Sequence, residues 1–261
     1  MNTSLIISTY NWTQALRACL LSILNQTTPP SEIIIADDGS TDETRNLINS
    51  IKLQTNIPIN HVWHKDEGFQ LAKIRNKAIK QAKYDYIIQI DGDLILHPYF
   101  IIDHIKAAKE DCFVRGSRVR LTLPLTSKIF ETNNLDFFSI FSKEINSKFN
   151  GIRSSILKKI TSRSNKSPHN MLGCNMAYWK NHALKINGYE NNLIGWGHED
   201  EEFAARLINL GLNKLKIKNT AIVYHLFHKE RKMENELEHR LLIQDVIKNN
   251  SIVAKNGINE L

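Results

Sequence analysis

Hydrophobic and polar positions follow two alternating periodicities over the first 110 residues. Short apolar runs have the length and the β-branched content of buried strands. Stretches between them carry apolar residues at helical spacing, as Leu71, Ile74 and Ala78 do. Four strand–helix repeats of this kind predict an α/β fold with a mostly parallel central sheet and helices on both faces. The predicted strands of this part are SLIIST, EIIIADD, INHVWH and DYIIQID.

The second half of the chain is less regular. CNMAYW reads as a strand, GWGHEDEEF opens a helix, and LKIKNTAIVYH reads as a strand that breaks near Asn219. A length of 261 residues fits one large domain with an insertion. We therefore interpret the chain as one domain with four parts: residues 1–110, an insertion or flap over 120–168, a second ordered part over 171–230, and an exposed helical tail over 231–261.

The composition is that of a soluble globular protein, with 42% hydrophobic and 23% charged residues. No apolar run reaches the length of about 18 residues that a membrane-spanning helix needs. The first residues lack a basic segment and a cleavage site, so a signal peptide is not expected. Three widely spaced cysteines form neither a disulfide framework nor a metal motif. We expect a reducing, cytoplasmic location.

The net charge of +7 is concentrated in one segment. Residues 143–166 contain seven basic residues and a single acidic one. Such a patch attracts anionic membranes, nucleic acid or phosphorylated substrates, although a solvated lysine-rich loop has the same composition. The aromatic residues nearby are Phe137, Phe138 and Phe141.

Polar residues collect where the predicted strands end. Thr9, Tyr10 and Asn11 follow the first strand, and Asp38 follows the second. In a parallel sheet with helices on both faces, ligands bind beyond the carboxyl ends of the strands. These side chains therefore predict a ligand site along one edge of the sheet.

QIDGDLIL places two carboxylates, Asp91 and Asp93, at the end of the fourth predicted strand. Oxygen ligands at this spacing suit a hard divalent cation such as Mg²⁺ or Mn²⁺. A turn with a helix cap uses the same residues, so the motif alone leaves both interpretations open. His225 and His228 follow a later strand, and either one could be a further metal ligand.

Several other side chains have a functional and a structural interpretation. Tyr10 could stack on a planar base or be a rim aromatic, and Arg75 could pair with a diphosphate or be a surface helical arginine. Glu199 and Asp200 stand near a helix start, where the helix dipole stabilises acids. They could also be a general base and a carboxylate that holds a sugar hydroxyl, with Trp196 stacking on a sugar ring.

Taken together, these motifs resemble the GT-A glycosyltransferases of family 2. The C-terminal half is similar to the β-1,4-galactosyltransferase and chondroitin polymerase type of domain. The matching stretches run in the family's order and cover most of the chain. They are STYN, IIIADDGSTDET, KDEGFQLAKIRNKAI, QIDGDLIL, GCNMAYW, GWGHEDEEF and YHLFH.

The resemblance implies an inverting glycosyltransferase that uses a UDP-sugar and Mn²⁺ (or Mg²⁺). Residues 1–110 would bind the nucleotide-sugar, and residues 171–230 would form the acceptor and catalytic half. Asp200 would be the base, Glu199 would orient the acceptor, and Asp93 would ligate the metal with His225, or else with His228. The implied donor-binding residues are Thr9, Tyr10, Asn11, Asp38, Gln70, Arg75, Asp91 and Asp93. The implied contacts to the acceptor and donor sugar are Trp196, Gly173 and Asn175.

The resemblance leaves the acceptor open, since residues 120–168 match none of its motifs. A saccharide or lipid-linked saccharide of surface polysaccharide or lipopolysaccharide synthesis is expected, with contact between residues 143–166 and an anionic membrane at its inner face. No nucleic acid partner is expected. A nucleotidyltransferase is disfavoured because the chain opens without a glycine- and basic-rich loop. A non-catalytic nucleotide-sugar-binding module would not need the retained acidic motifs.

Overall fold

The elements of the first 105 residues alternate as the sequence pattern predicts. Every strand and helix expected there is present, and one additional short strand follows Asp93. The computed structural model describes residues 1–135, 145–146, 148–195, 197–229 and 235–261. The elements of the first part are β1 (Thr3–Thr9), α1 (Thr13–Leu24), β2 (Glu32–Asp37), α2 (Asp42–Lys52), β3 (Ile59–Trp63), α3 (Leu71–Gln81), β4 (Tyr86–Asp91), β5 (Leu94–Leu96) and α4 (Phe100–Ile105).

The second part mixes short strands and helices. The predicted strand CNMAYW and the predicted helix after GWGH are both present. The described elements are β6 (Cys112–Arg115), β7 (Ser117–Leu121), α5 (Leu123–Thr132), β8 (Ile145–Asn146), a 3-10 turn (Lys148–Gly151), α6 (Ser155–Thr161), β9 (Arg163–Asn165), β10 (Asn175–Trp179), α7 (Lys180–Lys185), α8 (Glu199–Asn209), β11 (Asn213–Lys216), β12 (Ile222–His225) and α9 (Glu236–Lys248).

The central sheet has the strand order β3-β2-β1-β4-β10-β6-β11-β9 over the described residues. β1 lies parallel to β2 and β4, and β3 lies parallel to β2. β10 runs antiparallel to both of its neighbours, β4 and β6. The predicted parallel sheet is therefore confirmed for the first half of the chain, and the second half adds antiparallel strands.

Both faces of the central sheet are covered by helices, as predicted. Successive strand residues point to opposite faces. In β1, Leu5 and Ile7 pack in one core cluster with α1 and α2, whereas Ile6 packs in another with α3 and α8. All three side chains are fully buried. Each such burial contributes about 1.5–3 kcal/mol, which explains why the strands are apolar on both faces.

A smaller sheet, with the order β5-β12-β7-β8 in the described part of the chain, stands beside the central one. The run LKIKNTAIVYH divides into β11 and β12 at Asn219, whose φ of +60° turns the chain between the two sheets. The predicted break is thus confirmed. β12 is antiparallel to β5 and pairs His225 with Leu94. This register brings His225 next to the acidic end of β4.

Residues 120–168 contribute an edge strand to each sheet where they are described. β8 pairs with β7, and β9 pairs with β11. The three aromatic residues that we expected near a membrane, Phe137, Phe138 and Phe141, lie outside the described residues.

Within the described part of the predicted helical tail, the helix runs over Glu236–Lys248. The prediction is wrong for residues 249–261, which return to the protein in irregular conformation. Ala254 and Ile258 are buried there, and Asn187 bonds to both the Ala254 carbonyl and the Glu260 carboxylate. Burial of these apolar residues stabilises a path that a continuous helix would not follow.

Candidate active site

The carboxyl ends of β1, β2 and β4 meet at one edge of the central sheet and open into a cavity of about 1160 Å³. We call it the main cavity. Most of the predicted donor-binding residues line it, as expected from the parallel strand order. The predicted residues at its wall are Thr9, Tyr10, Asn11, Asp38, Asp91, Asp93, His225 and His228.

Asp38 is held rigidly at one end of the main cavity. Its Oδ1 lies 2.7 Å from His64 Nε2, and its Oδ2 accepts a 2.9 Å hydrogen bond from the Gln70 backbone N–H. The Gln70 side chain is directed away and donates to Glu67. Gln70 therefore contributes through its backbone, by orienting Asp38.

Tyr10 and Asn11 shape the loop that follows β1. The Tyr10 hydroxyl donates a 2.8 Å hydrogen bond to Asp66, and its side chain stays partly exposed. Asn11 has a φ of +46°, a left-handed conformation that asparagine tolerates. Its Oδ1 accepts from the Thr41 N–H at 2.9 Å, which ties the β1 loop to the start of α2. The ring of Tyr10 is thereby presented at the cavity wall.

Arg75 is buried beneath the site instead of facing it. Its guanidinium donates to Asp91 at 2.9 Å, to Glu199 at 2.9 Å and to Ser8 at 3.1 Å. Burial disfavours the charged form, but Asp91, Tyr189 and Glu199 outweigh it and raise the pKa of Arg75. The side chain is 1% exposed. Neither interpretation of the sequence, a surface arginine or a diphosphate ligand, matches this position.

Asp93, His225 and His228 form a cluster in the wall of the main cavity, which we call the Asp93 cluster. Asp93 Oδ2 lies 3.4 Å from His225 Nε2 and 3.2 Å from His228 Nε2. The two Nε2 atoms are 3.4 Å apart. The sequence left a choice between the two histidines, and the structure brings both of them to the carboxylate.

Charge and burial prepare the Asp93 cluster for a cation. Burial acts to raise the pKa of Asp93, but the two histidines hold it below its ordinary value. Burial lowers the pKa of His225, which favours the neutral, metal-binding imidazole. Asp93 Oδ1 is buried and has no hydrogen-bond partner. One ligand atom from each residue lies within 4.8 Å of the others. A carboxylate with one oxygen that has no hydrogen-bond partner, together with two imidazoles, fits a divalent transition-metal ion such as Mn²⁺.

Asp200 is fixed at the start of α8. Its Oδ2 accepts the Gly173 N–H at 2.7 Å, and its Oδ1 accepts the Glu201 N–H at 2.8 Å. A Cβ at Gly173 would come within 3.0 Å of the Asp200 Cβ, so the close approach requires glycine. Burial raises the pKa of Asp200. A carboxylate that is oriented and more basic than usual suits a general base.

Glu199 stands beside Asp200 and is joined to Asp91 through Arg75. Burial, followed by the charge of Asp200, raises the pKa of Glu199. Burial also raises the pKa of Asp91, to about 6, although Arg75 acts in the opposite direction. The two acids therefore share one buried cation.

Asn175 and Trp196 are the two other residues predicted to contact the acceptor and donor sugar. Asn175 is fully buried; its Nδ2 donates to the carbonyls of Ser117 and Ala221, and its Oδ1 lies 2.9 Å from His104 Nε2. These bonds use the side chain to join the two sheets, which leaves no atom for a sugar. Trp196 lies outside the described residues.

Arg118 and Arg120 line the main cavity, and sequence reasoning missed both. The signal was the alternation in SRVRL, since strand residues two apart share a face. Val119 and Leu121, the alternate residues, are buried in the core.

None of the described helices has the length and apolar character to cross a lipid bilayer.

Comparison with known proteins agrees with this arrangement. The family model for glycosyl transferase family 2 matches residues 4–164, and the one described as N-terminal domain of galactosyltransferase matches residues 157–229. Chondroitin synthase of Pasteurella multocida (strain Pm70) is 29% identical over 224 residues, which are 80% of this chain and 23% of the relative. Chondroitin synthase of Escherichia coli is 26% identical over 246 residues, or 85% and 34% of the two chains. The chain thus spans a quarter to a third of these relatives.

Solved structures share the fold. GalNAc-T7 with UDP, GalNAc and Mn²⁺ superposes with a TM-score of 0.69 at 16% identity, over 94% of this chain and 48% of that one. S. aureus TarS 1-349 superposes with a TM-score of 0.62 at 17% identity, over 98% and 66%. The chain belongs to glycosyl transferase family 2, and it is a glycosyltransferase with the GT-A fold.

Proposed function

We propose that the chain is an inverting, divalent-cation-dependent enzyme that transfers a hexose or N-acetylhexosamine from a UDP-sugar to a saccharide acceptor. The observation that carries this proposal is the Asp93 cluster, which faces the same cavity as Tyr10 and Asp38. The acceptor belongs, in this proposal, to surface polysaccharide or lipopolysaccharide synthesis. Relatives named chondroitin synthase and poly-β-1,6-N-acetyl-D-glucosamine synthase support a polymer product.

The structural neighbours support the choice of donor and metal. UDP is named in structures of S. aureus TarS and of GalNAc-T7, the latter also with Mn²⁺. A mannosyltransferase from Pyrobaculum calidifontis is described in complex with GDP-Man and Mn²⁺. Two of these neighbours are thus described with a nucleotide or nucleotide-sugar together with Mn²⁺, and on this support we assign UDP and Mn²⁺ (or Mg²⁺) to this chain.

The proposed donor site runs from Asp38 to the Asp93 cluster. In this proposal the nucleotide is contacted by Thr9, Tyr10, Asn11 and Asp38. The Asp38 carboxylate is held in place by His64 and by the Gln70 backbone N–H. Asp91, oriented by Arg75, accepts from hydroxyls of the ribose or the donor sugar. Asp93, His225 and His228 would hold the cation, which would neutralise negative charge on the departing diphosphate.

Asp200 is the proposed base. Its two carboxylate oxygens each accept one backbone N–H, which fixes the carboxylate plane while a lone pair remains for the acceptor hydroxyl proton. Removing that proton as the hydroxyl attacks the anomeric carbon gives transfer with inversion. Glu199 orients the acceptor, and Arg75 positions both Glu199 and Asp91 without contacting substrate itself.

The proposal also includes peripheral contact with an anionic membrane at its cytoplasmic face. Three apolar side chains of segment 143–166 are exposed, with Phe149 53%, Ile156 71% and Ile160 70% accessible. The last two stand four residues apart on α6, beside Lys159 and Arg163. Exposed apolar residues next to cations are typical of surfaces that bind anionic lipid.

Release of UDP from a panel of UDP-sugars, with Mn²⁺ or with chelator, tests the proposed chemistry. We expect one donor to be turned over, only with the metal present, and Asp93→Ala, His225→Ala and His228→Ala each to weaken Mn²⁺ binding in calorimetry. Asp245→Asn, on α9, removes an acidic group outside the main cavity and is the matched control. Turnover of every donor in chelator, or Mn²⁺ affinity unchanged in Asp93→Ala, would refute the proposal.

A further inference from the structure

A second, smaller cavity of about 190 Å³ opens beside the main cavity. Arg115, Arg118, Arg120 and Lys218 contribute its charged lining, and we call it the cationic pocket. Arg118 and Arg120 line both cavities, so the two are adjacent. Neither the proposed donor site nor the proposed base uses this pocket.

Strand geometry gathers the four cations. Arg118 and Arg120 alternate along β7 with buried residues and therefore share one face. Arg115 is the last residue of β6, directly before the turn into β7. Lys218 follows β11, which is the parallel neighbour of β6. The basic face is therefore a consequence of the sheet register and not of one flexible loop.

Three cations of the cationic pocket, Arg115, Arg118 and Lys218, have little compensating negative charge among the described residues. Throughout the described ranges, no salt bridge joins Arg115, Arg118 or Lys218 to a carboxylate. Arg115 Nε is buried without a hydrogen-bond partner, and Arg118 donates only a long 3.7 Å contact to Cys174 Sγ. Burial lowers the pKa of Arg115, and the repulsion of Arg118 acts in the same direction. Gathering partly buried cations costs free energy, which an anionic ligand would recover.

The cationic pocket lies next to the proposed base. Leu172 is part of its lining, and the following residue, Gly173, donates its N–H to Asp200 at 2.7 Å. The charge of the Asp200 carboxylate also acts on Arg115 and on Lys214, where it opposes the lowering of each pKa by burial. A group bound in the pocket would therefore stand beside the hydroxyl from which Asp200 removes a proton.

We infer that the cationic pocket binds an anionic group, a carboxylate or a phosphate, carried by the acceptor saccharide. Guanidinium groups form bidentate hydrogen bonds with both kinds of anion, whereas a neutral sugar would leave Arg115, Arg118 and Lys218 without an ionic partner among the described residues. The inference rests on the proposed function and adds the chemical class of the acceptor. The donor diphosphate is assigned to the Asp93 cluster, so the pocket remains for a second anion.

Three matched disaccharides provide the test, with a hydroxyl, a carboxylate or a phosphate at C6 of the terminal hexose. Their dissociation constants are measured by calorimetry on the whole chain with UDP and Mn²⁺ present. We expect at least one acidic disaccharide to bind ten times or more tightly than the neutral one. The two acidic forms distinguish a uronate-type acceptor from a phosphorylated one.

Arg115→Gln and Lys218→Gln should each reduce the preference for the acidic disaccharide by tenfold or more. Arg17→Gln, an exposed arginine on α1 that lines neither cavity, is the matched control and should keep the preference. Thermal unfolding of each variant separates lost binding from lost folding, and Lys218, which is only half-buried, carries the smaller folding risk. Equal binding of neutral and acidic forms, or a preference that survives both substitutions, would overturn the inference.

Two further readouts separate this inference from the proposed function. Weaker UDP binding in Arg115→Gln, with acidic disaccharide binding unchanged, would place the donor diphosphate in the pocket and overturn the inference alone. Metal-dependent UDP release without acceptor tests the donor chemistry independently of the pocket. The two hypotheses can therefore fail separately.

Discussion

Arg75 shows how one buried residue can connect the two ends of a site. It forms ion pairs with Asp91 from β4 and with Glu199 from α8. Glu199 is 124 residues away from Arg75 along the chain. A buried cation of this kind is stable only because both partners are charged and bonded to it. Its position implies that Asp91 and Glu199, the acids that we propose to contact donor and acceptor, are oriented by a common group.

Asp200→Asn should reduce kcat by about 10²–10⁴-fold, the usual contribution of a general base. Asparagine keeps the shape and can still accept the Gly173 N–H through its single oxygen, but it loses the hydrogen bond from the Glu201 N–H, so thermal unfolding of the variant is measured alongside. Burial raises the pKa of Asp200, and the base must be deprotonated to act. Activity of the wild type should therefore fall as pH decreases, beginning above the ordinary aspartate pKa of about 3.9.

The pH profile of kcat/KM checks this prediction, and the profile of Asp200→Asn should lack that acidic limb. A variant that retains most of the activity, or the same limb, would assign the base elsewhere. Glu201→Gln, one residue further along α8, is a matched control for loss of charge near the helix start.

Gly173→Ala should lower activity by displacing Asp200. The added Cβ would stand 3.0 Å from the Asp200 Cβ and 3.3 Å from Arg75 Nη1, so one of them must move. Overpacking of this kind costs about 1–3 kcal/mol. Gly151→Ala is the control, since its Cβ would meet Val119 at an ordinary 3.5 Å. Steady-state kinetics and thermal unfolding of both variants measure the effect, and equal activity would refute a constraint at Gly173.

Short strands explain what could and could not be predicted at the scale of elements. β1, β2 and β4 are long apolar runs, and their ends correctly placed Asp38, Asp91 and Asp93 at one edge. β5 has three residues, and β12, the strand with which it pairs, is distant from it in the sequence. No local pattern encodes that pairing, so the sequence could not decide between His225 and His228.

The exposed face of α6 should contribute to membrane association. Replacing Ile156 and Ile160 by serine should reduce binding to vesicles of phosphatidylglycerol and phosphatidylcholine, because both side chains are exposed beside basic residues. Neutralising Lys158, Lys159 and Arg163 should reduce it further and remove its salt dependence.

Vesicle co-sedimentation measures this binding. Leu237→Ser is the matched control, since Leu237 is 74% exposed on α9, far along the chain from the basic segment. Binding that neither set of substitutions changes would show that α6 does not contact lipid.

At the scale of the whole molecule, the sequence predicted the layers of sheet and helices better than the long-range polar contacts that join them. The α/β alternation implied helices on both faces, because each β1 residue had to be buried. Asn175 was taken for a sugar contact because its motif resembles the family, yet its amide joins β7 and the residue before β12. Arg75 was interpreted as a diphosphate ligand, because a guanidinium suits phosphate geometry, or as a surface arginine; its buried partner Glu199 is 124 residues away in the sequence. Long-range polar contacts of this kind have no periodicity to reveal them.

His104 makes the stability of the whole molecule depend on pH. Burial lowers its pKa to about 4, and it lies in the core with Nε2 2.9 Å from Asn175 Oδ1. Because the Asn175 Nδ2 already donates to two carbonyls, Oδ1 must accept, so His104 carries its proton on Nε2. Its Nδ1 is buried without a partner, as in the neutral ring.

The unfolded chain therefore binds a proton at His104 more readily than the folded one. The free energy of unfolding should fall as pH decreases from about 6.5 towards 4, by at most about 1.4 kcal/mol per pH unit for this one proton. Asp91, Glu199 and Asp200 act oppositely, since their raised pKa values make the folded state bind protons first. They stabilise the fold as pH falls through the same range.

The His104 contribution is isolated by comparison with His104→Gln, whose amide can donate to Asn175 but does not titrate. Urea unfolding at pH 7.0, 6.0 and 5.0 should show the wild type losing stability relative to the variant at each step down, because only the wild type must exclude a proton from the core. Parallel pH curves for the two proteins would mean that His104 is protonated in the folded state, and that the hydrogen bonds joining the two sheets are arranged differently.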